Sequence, residues 1–331
     1  MANTNFFKNK KVLITGGLGF IGSNLAIKLI EVGANVTILD SLLPEYGGNK
    51  FNIFPIKNKV SLKLADLRSE TVARKLVRGK QILFNLAGTL SHVDSMTDPF
   101  TDLDVNCRAQ LHLLEACRKE NKDIKIIFAG TRNQYGKALY LPVDEKHPQE
   151  PTDINGINSI AAEKYHLLYT RIHGVNTVSL RMTNTFGPRH QMKHSKQGIL
   201  NWFIRLLMDG KTVQLYGSGS QIRDVNYVDD VVDALLIAAR NPKSAGQVYN
   251  LGGQPITLLL FVKKVISMLN KGSYSLAPFP RERKVIEVGN YVADIKKIKQ
   301  ELNWQPKRTV DQGIKETIDF YQKNRKYYWQ I

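Results

Sequence analysis

This sequence has little cysteine, comparatively little acid and no long apolar run. Its 331 residues hold two cysteines, Cys107 and Cys117, ten apart in one helical stretch. Two thiols are too few for a disulfide framework or a cysteine-rich zinc site, so no metal is expected and both are read as buried or partly buried thiols. No apolar stretch reaches the roughly 18 to 20 residues of a membrane span. Met1–Lys11 is polar and basic, and the run Val12–Thr15 is too short for a signal-peptide core. A soluble, cytoplasmic protein with no membrane partner is expected. Acidic residues number 29 against 47 lysines and arginines, a net charge of +18, which favours anionic ligands. Yet no block of five or six like charges occurs, and the interleaved aromatic and basic residues of an RNA platform are missing. The surplus reads as a solvated surface, and nucleic acid is not an expected partner.

What the sequence does have is alternation, uninterrupted by repeats or low-complexity segments. At ~150 residues per domain the length corresponds to about two domains. Short apolar runs predict strands over 11–15, 35–40, 60–65, 81–86, 125–128 and 177–181, and helical periodicity falls between them over 23–32, 68–77, 102–119 and 158–173. Beyond Gly187–Pro188 the alternation loosens. YGSGS at 216–220 breaks it, and a helix resumes over 229–240. This predicts an α/β fold, with a doubly wound parallel sheet over 1–182 that the chain revisits near 224–252. A smaller C-terminal substrate domain, mainly 183–331, is interleaved with it.

TGGLGFIG at 15–22 follows the first strand and opens a helix. Gly16, Gly19 and Gly22 permit a tight turn and let the backbone around Phe20 and Ile21 approach a pyrophosphate at the helix N-terminus. Asp40 closes the second strand 18 residues past Gly22, where it can accept from a ribose 2′-hydroxyl. Ser41 and Leu42 follow it, so no arginine is at hand for a 2′-phosphate, and NAD is expected rather than NADP. Asp66–Leu67 closes the third strand and Leu86-Ala87-Gly88 the fourth. Strand ends of this kind line the ligand crevice of a Rossmann-type sheet, with Asp66 able to accept from an adenine amino group and Ala87–Gly88 leaving room.

With these residues the chain resembles the extended short-chain dehydrogenase/reductase family of NAD-dependent nucleotide-sugar epimerases and dehydratases, from about Lys10 to Tyr321. Further carriers of the resemblance are NLAG at 85–88, Ser95 four before Pro99, Asn106, TRNQYG at 131–136, TNTFGPR at 183–189, RDVNYVDD at 223–230 and VADIKKIKQELNWQP at 292–306. The resemblance implies a bound NAD that takes hydride from a sugar carbon. It implies a Tyr that deprotonates the hydroxyl, a Lys four residues later that lowers the Tyr pKa, and a Ser or Thr, here Thr131. It also implies a nucleotide-diphosphate sugar as substrate, met by Asn184 and Arg223 at the diphosphate and Arg283 at a ribose. Ser95 and Arg189 are further substrate-side candidates, and the basic loop 189–196 could close over an anionic ligand. Helices matching 102–119 and 156–173 form a dimer interface in many relatives, so a homodimer is implied.

The expected Tyr–Lys pair is missing. Aligning Pro151, Gly156 and the AAE at 161–163 puts Asn155 at the Tyr position and Ser159 at the Lys position. Asparagine has no titratable proton and serine no positive charge, and losing a positioned acid/base costs roughly 10²–10⁴-fold. Only Tyr46 among the 13 tyrosines has a Lys four residues on, Lys50, in the loop after Asp40; that spacing is read as chance. His92, Asp94 and Tyr135 are the candidate substitutes, and histidine titrates near neutrality. Arg132–Asn133 stand where the family's 4,6-dehydratases carry Asp-Glu, which disfavours ordinary 4,6-dehydration. Arg132 can instead grip a carboxylate or phosphate bidentately. The functional expectation is an NAD-dependent nucleotide-sugar oxidoreductase, an epimerase before a dehydratase. A catalytically silent NAD or nucleotide-sugar-binding protein, a dehydratase with an unusual acid/base, and an RNA-associated relative are the alternatives.

Overall fold

The run KVLIT is buried at every position but its first. A strand apolar on both faces must be covered on both, and the chain does this by alternating strands with helices. The computed structural model describes residues 4–44, 46–281, 284 and 287–329. Its strands are β1 (Lys11–Thr15), β2 (Asn35–Asp40), β3 (Ser61–Leu64), β4 (Ile82–Asn85), β5 (Lys125–Thr131), β6 (Thr177–Met182), β7 (Asn184–Phe186), β8 (Thr212–Tyr216), β9 (Ile222–Tyr227), β10 (Val248–Asn250), β11 (Gln254–Thr257) and β12 (Ser273–Ala277). Its α-helices are α1 (Phe20–Glu31), α2 (Glu70–Val77), α3 (His92–Thr97), α4 (Pro99–Leu103), α5 (Ala109–Glu120), α6 (Ile154–His173), α7 (Ile199–Met208), α8 (Val228–Arg240), α9 (Leu258–Leu269), α10 (Lys296–Leu302) and α11 (Val310–Asn324).

Seven strands form one sheet in the order β10-β6-β5-β4-β1-β2-β3, and every pairing in it is parallel. Chain order reverses beside β1, which pairs with both β2 and β4. A reversal of this kind opens a crevice at the carboxyl ends of the strands. Leu25, Leu29, Val231, Leu235 and Trp304 pack on one face of the sheet, and Leu83, Leu113, Leu114, Cys117 and Ile126 on the other. Burial pushes the Cys117 thiol up to about 12, which makes it inert.

A third core, around Phe203, Leu207, Val225, Phe261 and Ile314, belongs to two small sheets, β11-β9-β7 and β12-β8. β9 pairs with β7 and β11, so residues 224–227 still belong to this smaller layer. The chain rejoins the large sheet through α8 and β10. The aromatic end of the chain, whose sequence has no readable pattern, packs inward. Tyr327 stacks on Phe51 at 3.7 Å, and the buried Tyr328 hydroxyl donates to Asn52. No helix among the described residues is long and apolar enough to cross a membrane.

Two expected helices differ from the pattern. The single helix expected over 102–119 is broken by a π turn at Asp104–Arg108. Within that turn Asn106 accepts from the Thr89 backbone N–H at 2.9 Å and donates to the Thr89 carbonyl at 3.0 Å, so the helix is distorted to tie down the loop after β4. The helix expected from 158 begins at Ile154, because Asp153 caps it, accepting from Gly156 N–H at 2.8 Å.

His166 of α6 is fully buried, stacked on Phe128 at 4.3 Å. Its Nδ1 faces the Ala162 carbonyl at 2.8 Å, so that nitrogen carries the proton and Nε2 accepts from Asn85 at 3.3 Å. Burial depresses both His166 and His190 from 6.5 to about 4. Below their ordinary pKa the unfolded chain takes up protons that the folded chain refuses. Their contribution is intact above pH 6.5 and is lost as pH falls toward 4, by up to about 3 kcal/mol each. Urea midpoints are expected to fall across that window, and His166→Gln should flatten the slope. A slope unchanged by the substitution would show that His166 is not its source.

Candidate active site

The turn after β1 is built for close approach. Gly16 has φ +69°, and a Cβ there would stand 2.8 Å from the Leu86 carbonyl oxygen. A Cβ on Gly22 would stand 2.3 Å from the Gly16 oxygen. Gly19 caps α1 with no side-chain acceptor, so the first-turn N–H groups around Phe20 and Ile21 are free to meet an anion. Thr15 locks the turn to β4. Its hydroxyl donates to Asn85 and accepts from the Leu86 and Ala87 backbones. Asp40 accepts from Leu18 N–H on one oxygen and Leu42 N–H on the other, each at 2.9 Å. Burial raises its pKa and the two N–H groups pull it back. Each oxygen keeps a second lone pair for a ribose hydroxyl. Asp66 is gripped by Arg68, whose hydrogen bonds are the main cause holding its carboxyl below the usual range.

These groups line one end of a cleft of about 1000 Å³, together with Leu67, Leu86, Ala87 and Gly88. The cleft crosses the sheet's carboxyl edge past Thr131 and Ser159 to Asn184, Tyr216 and Arg223 in the smaller layer. The model of the NAD dependent epimerase/dehydratase family matches residues 12–252. The chain belongs to that family. NAD is accordingly its cofactor, and the glycine cradle at Gly16, Gly19 and Gly22, with Asp40 beyond it, fits the pyrophosphate and adenosine ribose.

Members of the epimerase/dehydratase family resemble the chain along nearly its whole length. A Methanocaldococcus jannaschii protein named "Putative UDP-glucose 4-epimerase" is 33% identical over 321 residues, 95% of this chain and 99% of that one. The CDP-paratose 2-epimerase of Salmonella typhi is 28% identical, covering 94% of this chain and 98% of its own. The crystal structure of the Thermotoga maritima UDP-glucose 4-epimerase with UDP-glucose superimposes with a TM-score of 0.86 at 28% identity, over 95% of this chain and 99% of that one.

At the centre of the cleft the expected chemistry is redistributed. Thr131 ends β5 and lines the cleft, where its oxygen accepts from Asn133 N–H at 3.2 Å. Its own proton is left to donate. Asn155 is buried and does not line the cleft. Its amide donates to Asp102 at 2.9 Å and to the Thr89 carbonyl at 2.7 Å. Ser159 does line the cleft and donates to the Asn155 carbonyl at 2.7 Å. Tyr135 is fully buried away from it, donating to Asn250 at 2.7 Å and accepting from Arg181 at 2.5 Å. Burial pushes its phenol up to about 12, so it serves structure.

His92 opens α3 and borders the cleft, with Nδ1 hydrogen-bonded to Asp153. Burial would raise the Asp153 carboxyl, but the His92 bond and its charge lower it, so the carboxylate form is held. Asp94, two residues on, pairs with Lys196 at 3.1 Å, which brings the 189–196 loop down beside His92. Ser95 donates to the His92 carbonyl at 2.9 Å and stays off the cleft. Tyr46 lines the cleft too, within the fields of Asp94, Asp98 and Lys196. Its pKa is raised, by burial first and by those acids next. That is the wrong direction for a base near neutrality.

Of the residues expected on the substrate side, Asn184 lines the cleft with its buried Oδ1 lacking a partner among the described residues. Arg223 is paired with Glu287 at 2.6 Å and donates to the Gly289 carbonyl at 2.6 Å. Arg132 lines the cleft over the Tyr291 ring at 5.1 Å. Arg189 turns away, donating to Asn24 at 2.8 Å over the Phe320 ring, so it ties α1 to α11 instead. Arg283 lies outside the described residues. The sequence reading missed Asp153 as the partner of His92. The Asp before a helix was legible as a cap, but its contact with a residue 61 positions away was not.

Proposed function

We propose that the protein is a nucleotide-sugar epimerase that works through a transient keto sugar, with His92 in the proton-transfer role of the missing tyrosine. The supporting observation is that His92, Thr131 and Ser159 border the same cleft as the glycine cradle. Bound NAD supplies a hydride acceptor that later returns the hydride. With its Nδ1 proton directed to Asp153, His92 presents the Nε2 lone pair to a sugar hydroxyl and takes its proton as the carbon loses hydride. Thr131 donates to the developing carbonyl oxygen. The imidazolium then gives the proton back to the oxygen, and the returned hydride would restore the alcohol with its centre inverted.

In this reading residues 1–182, with the return through α8 and β10, hold the cofactor, and the smaller layer, mainly 183–331, holds the nucleotide diphosphate. Asn184 and Arg223 meet the phosphates, as the arginine's planar donors suit, and Asp66 lies by the adenine. A homodimer is part of the proposal. Ile157, Leu168 and Ile172 of α6 are exposed on its outer side, and an apolar helix face of that kind suits a second copy.

Mass spectrometry of ligands retained on purification tests the reading, followed by NMR of nucleotide sugars incubated with the protein. NAD and an epimerised nucleotide sugar are the expected results. Protein that carries no dinucleotide and binds no sugar nucleotide would defeat it.

A further inference from the structure

Arg132 is a cation of the cleft that the fold leaves incomplete. Its side chain is more than nine-tenths buried, at 8% exposure. Its Nη1 atom is buried with no hydrogen-bond partner among the described residues, and no ion pair to it occurs among them. A buried guanidinium N–H with no acceptor is costly, and the fields of Tyr291, Glu287 and Asp224 act on the charge without supplying that bond. The arginine stays charged at neutral pH, since burial and the nearby Arg223 lower it only to about 10. The surface facing it is the cleft, so the completing group arrives with the substrate.

A nucleotide sugar can bring an oxyanion from two places, its diphosphate or a carboxylate on the ring. Arg223 already occupies a diphosphate-type position, anchored by Glu287 and Gly289. Arg132 follows Thr131 directly, only ~3.8 Å along the chain from the residue placed at the reacting carbonyl. Both residues line the cleft, so the Arg132 fork is within reach of a sugar held at Thr131. Tyr291 beneath it holds the guanidinium plane by a cation–π contact at 5.1 Å, leaving the edge of the fork to a planar acceptor. We infer that Arg132 receives a carboxylate on the sugar ring, which makes the preferred substrate class a nucleotide-diphosphate hexuronate rather than a neutral hexose. This rests on the nucleotide-sugar reading above.

The test measures dissociation constants on the NAD-loaded protein. The free nucleoside diphosphate, its hexose and its hexuronate are compared, with uracil, thymine, cytosine and guanine as the base. For the base that binds, the hexuronate should bind roughly 10- to 100-fold tighter than the hexose. Arg132→Met should abolish that preference and leave the free diphosphate unchanged, with Arg132→Lys in between. Equal binding of hexose and hexuronate by the parent protein overturns the inference alone, even if the Met variant fails to fold. Equal weakening of all three ligands by Arg132→Met overturns it in favour of a phosphate contact. Binding of none removes the nucleotide-sugar reading itself. The Met variant should also melt no lower than the parent, because it removes an unpaired buried charge.

Discussion

Replacing His92 with alanine should lower kcat roughly 10²–10⁴-fold, with retained NAD and nucleotide-sugar affinity nearly unchanged. The expectation follows from what else lines the cleft. Asn155 is tied to Asp102 and Thr89 and turned out of it, Tyr135 is sealed behind Arg181 and Asn250, and the Tyr46 phenol is pushed up rather than down. Thr131 and Ser159 have hydroxyls that donate and accept but do not titrate near neutrality. Of the three histidines that line the cleft, burial depresses His190 to about 4 and the Nδ1 of His194 faces the Gln191 amide at 3.4 Å, whereas His92 has a carboxylate behind it. Free imidazole should partly restore turnover to His92→Ala, which a merely structural loss would not allow. Asp153→Asn keeps an oxygen for the Gly156 cap and removes the charge. A smaller loss, roughly 10- to 100-fold, is expected there. A His92→Ala enzyme that turns over at the parent rate would dismiss the assignment and move the proton transfer elsewhere in the cleft.

The largest effect on stability is expected at Glu163, which does not line the cleft. Its side chain is fully buried and Arg181 nearly so. Arg181 donates to both carboxylate oxygens, at 2.5 and 3.0 Å, and Ser179 adds a third bond at 2.7 Å. Burial alone would raise the Glu163 carboxyl, but Arg181 lowers it, so the pair is ionised. Glu163→Ala leaves a buried guanidinium unpaired and should cost about 3–5 kcal/mol by urea denaturation. The double change Glu163→Leu with Arg181→Met removes both charges and should cost clearly less than the single one. The pair joins α6 to β6, and through the Tyr135 hydroxyl it reaches the turn after Thr131, so the single variant should also lose activity before it unfolds. A single variant within about 1 kcal/mol of the parent would mean that water reaches Arg181 and the pair is not as dry as its burial implies.

The strands of the large sheet were readable because each is a short apolar run that both faces bury. The glycine turn was readable because its chemistry is backbone chemistry, fixed by where a Cβ cannot go. Thr131 and Ser159, which the family resemblance supplied, were found lining the cleft. Asn155, Tyr135, Arg189 and Ser95 were not, since a residue at the end of a strand or the start of a helix can face the cleft or the core, and the choice rests on partners remote in sequence. Arg189 found Asn24, and Tyr135 found Arg181 and Asn250. The broken helix at 104–108 was likewise hidden, since it is bent by Asn106 reaching back to Thr89.

Local pattern therefore determined the sheet, the glycine turn and the acid that ends β2, all properties of neighbours along one chain. Tertiary structure alone decided that His92 stands against Asp153 and that Arg132 is buried beside the cleft with its Nη1 lacking a hydrogen-bond partner among the described residues. Both facts are contacts, or missing contacts, between segments that only the closed fold brings together. Burial then sets whether such a charge is paired, silent or held ready for a ligand.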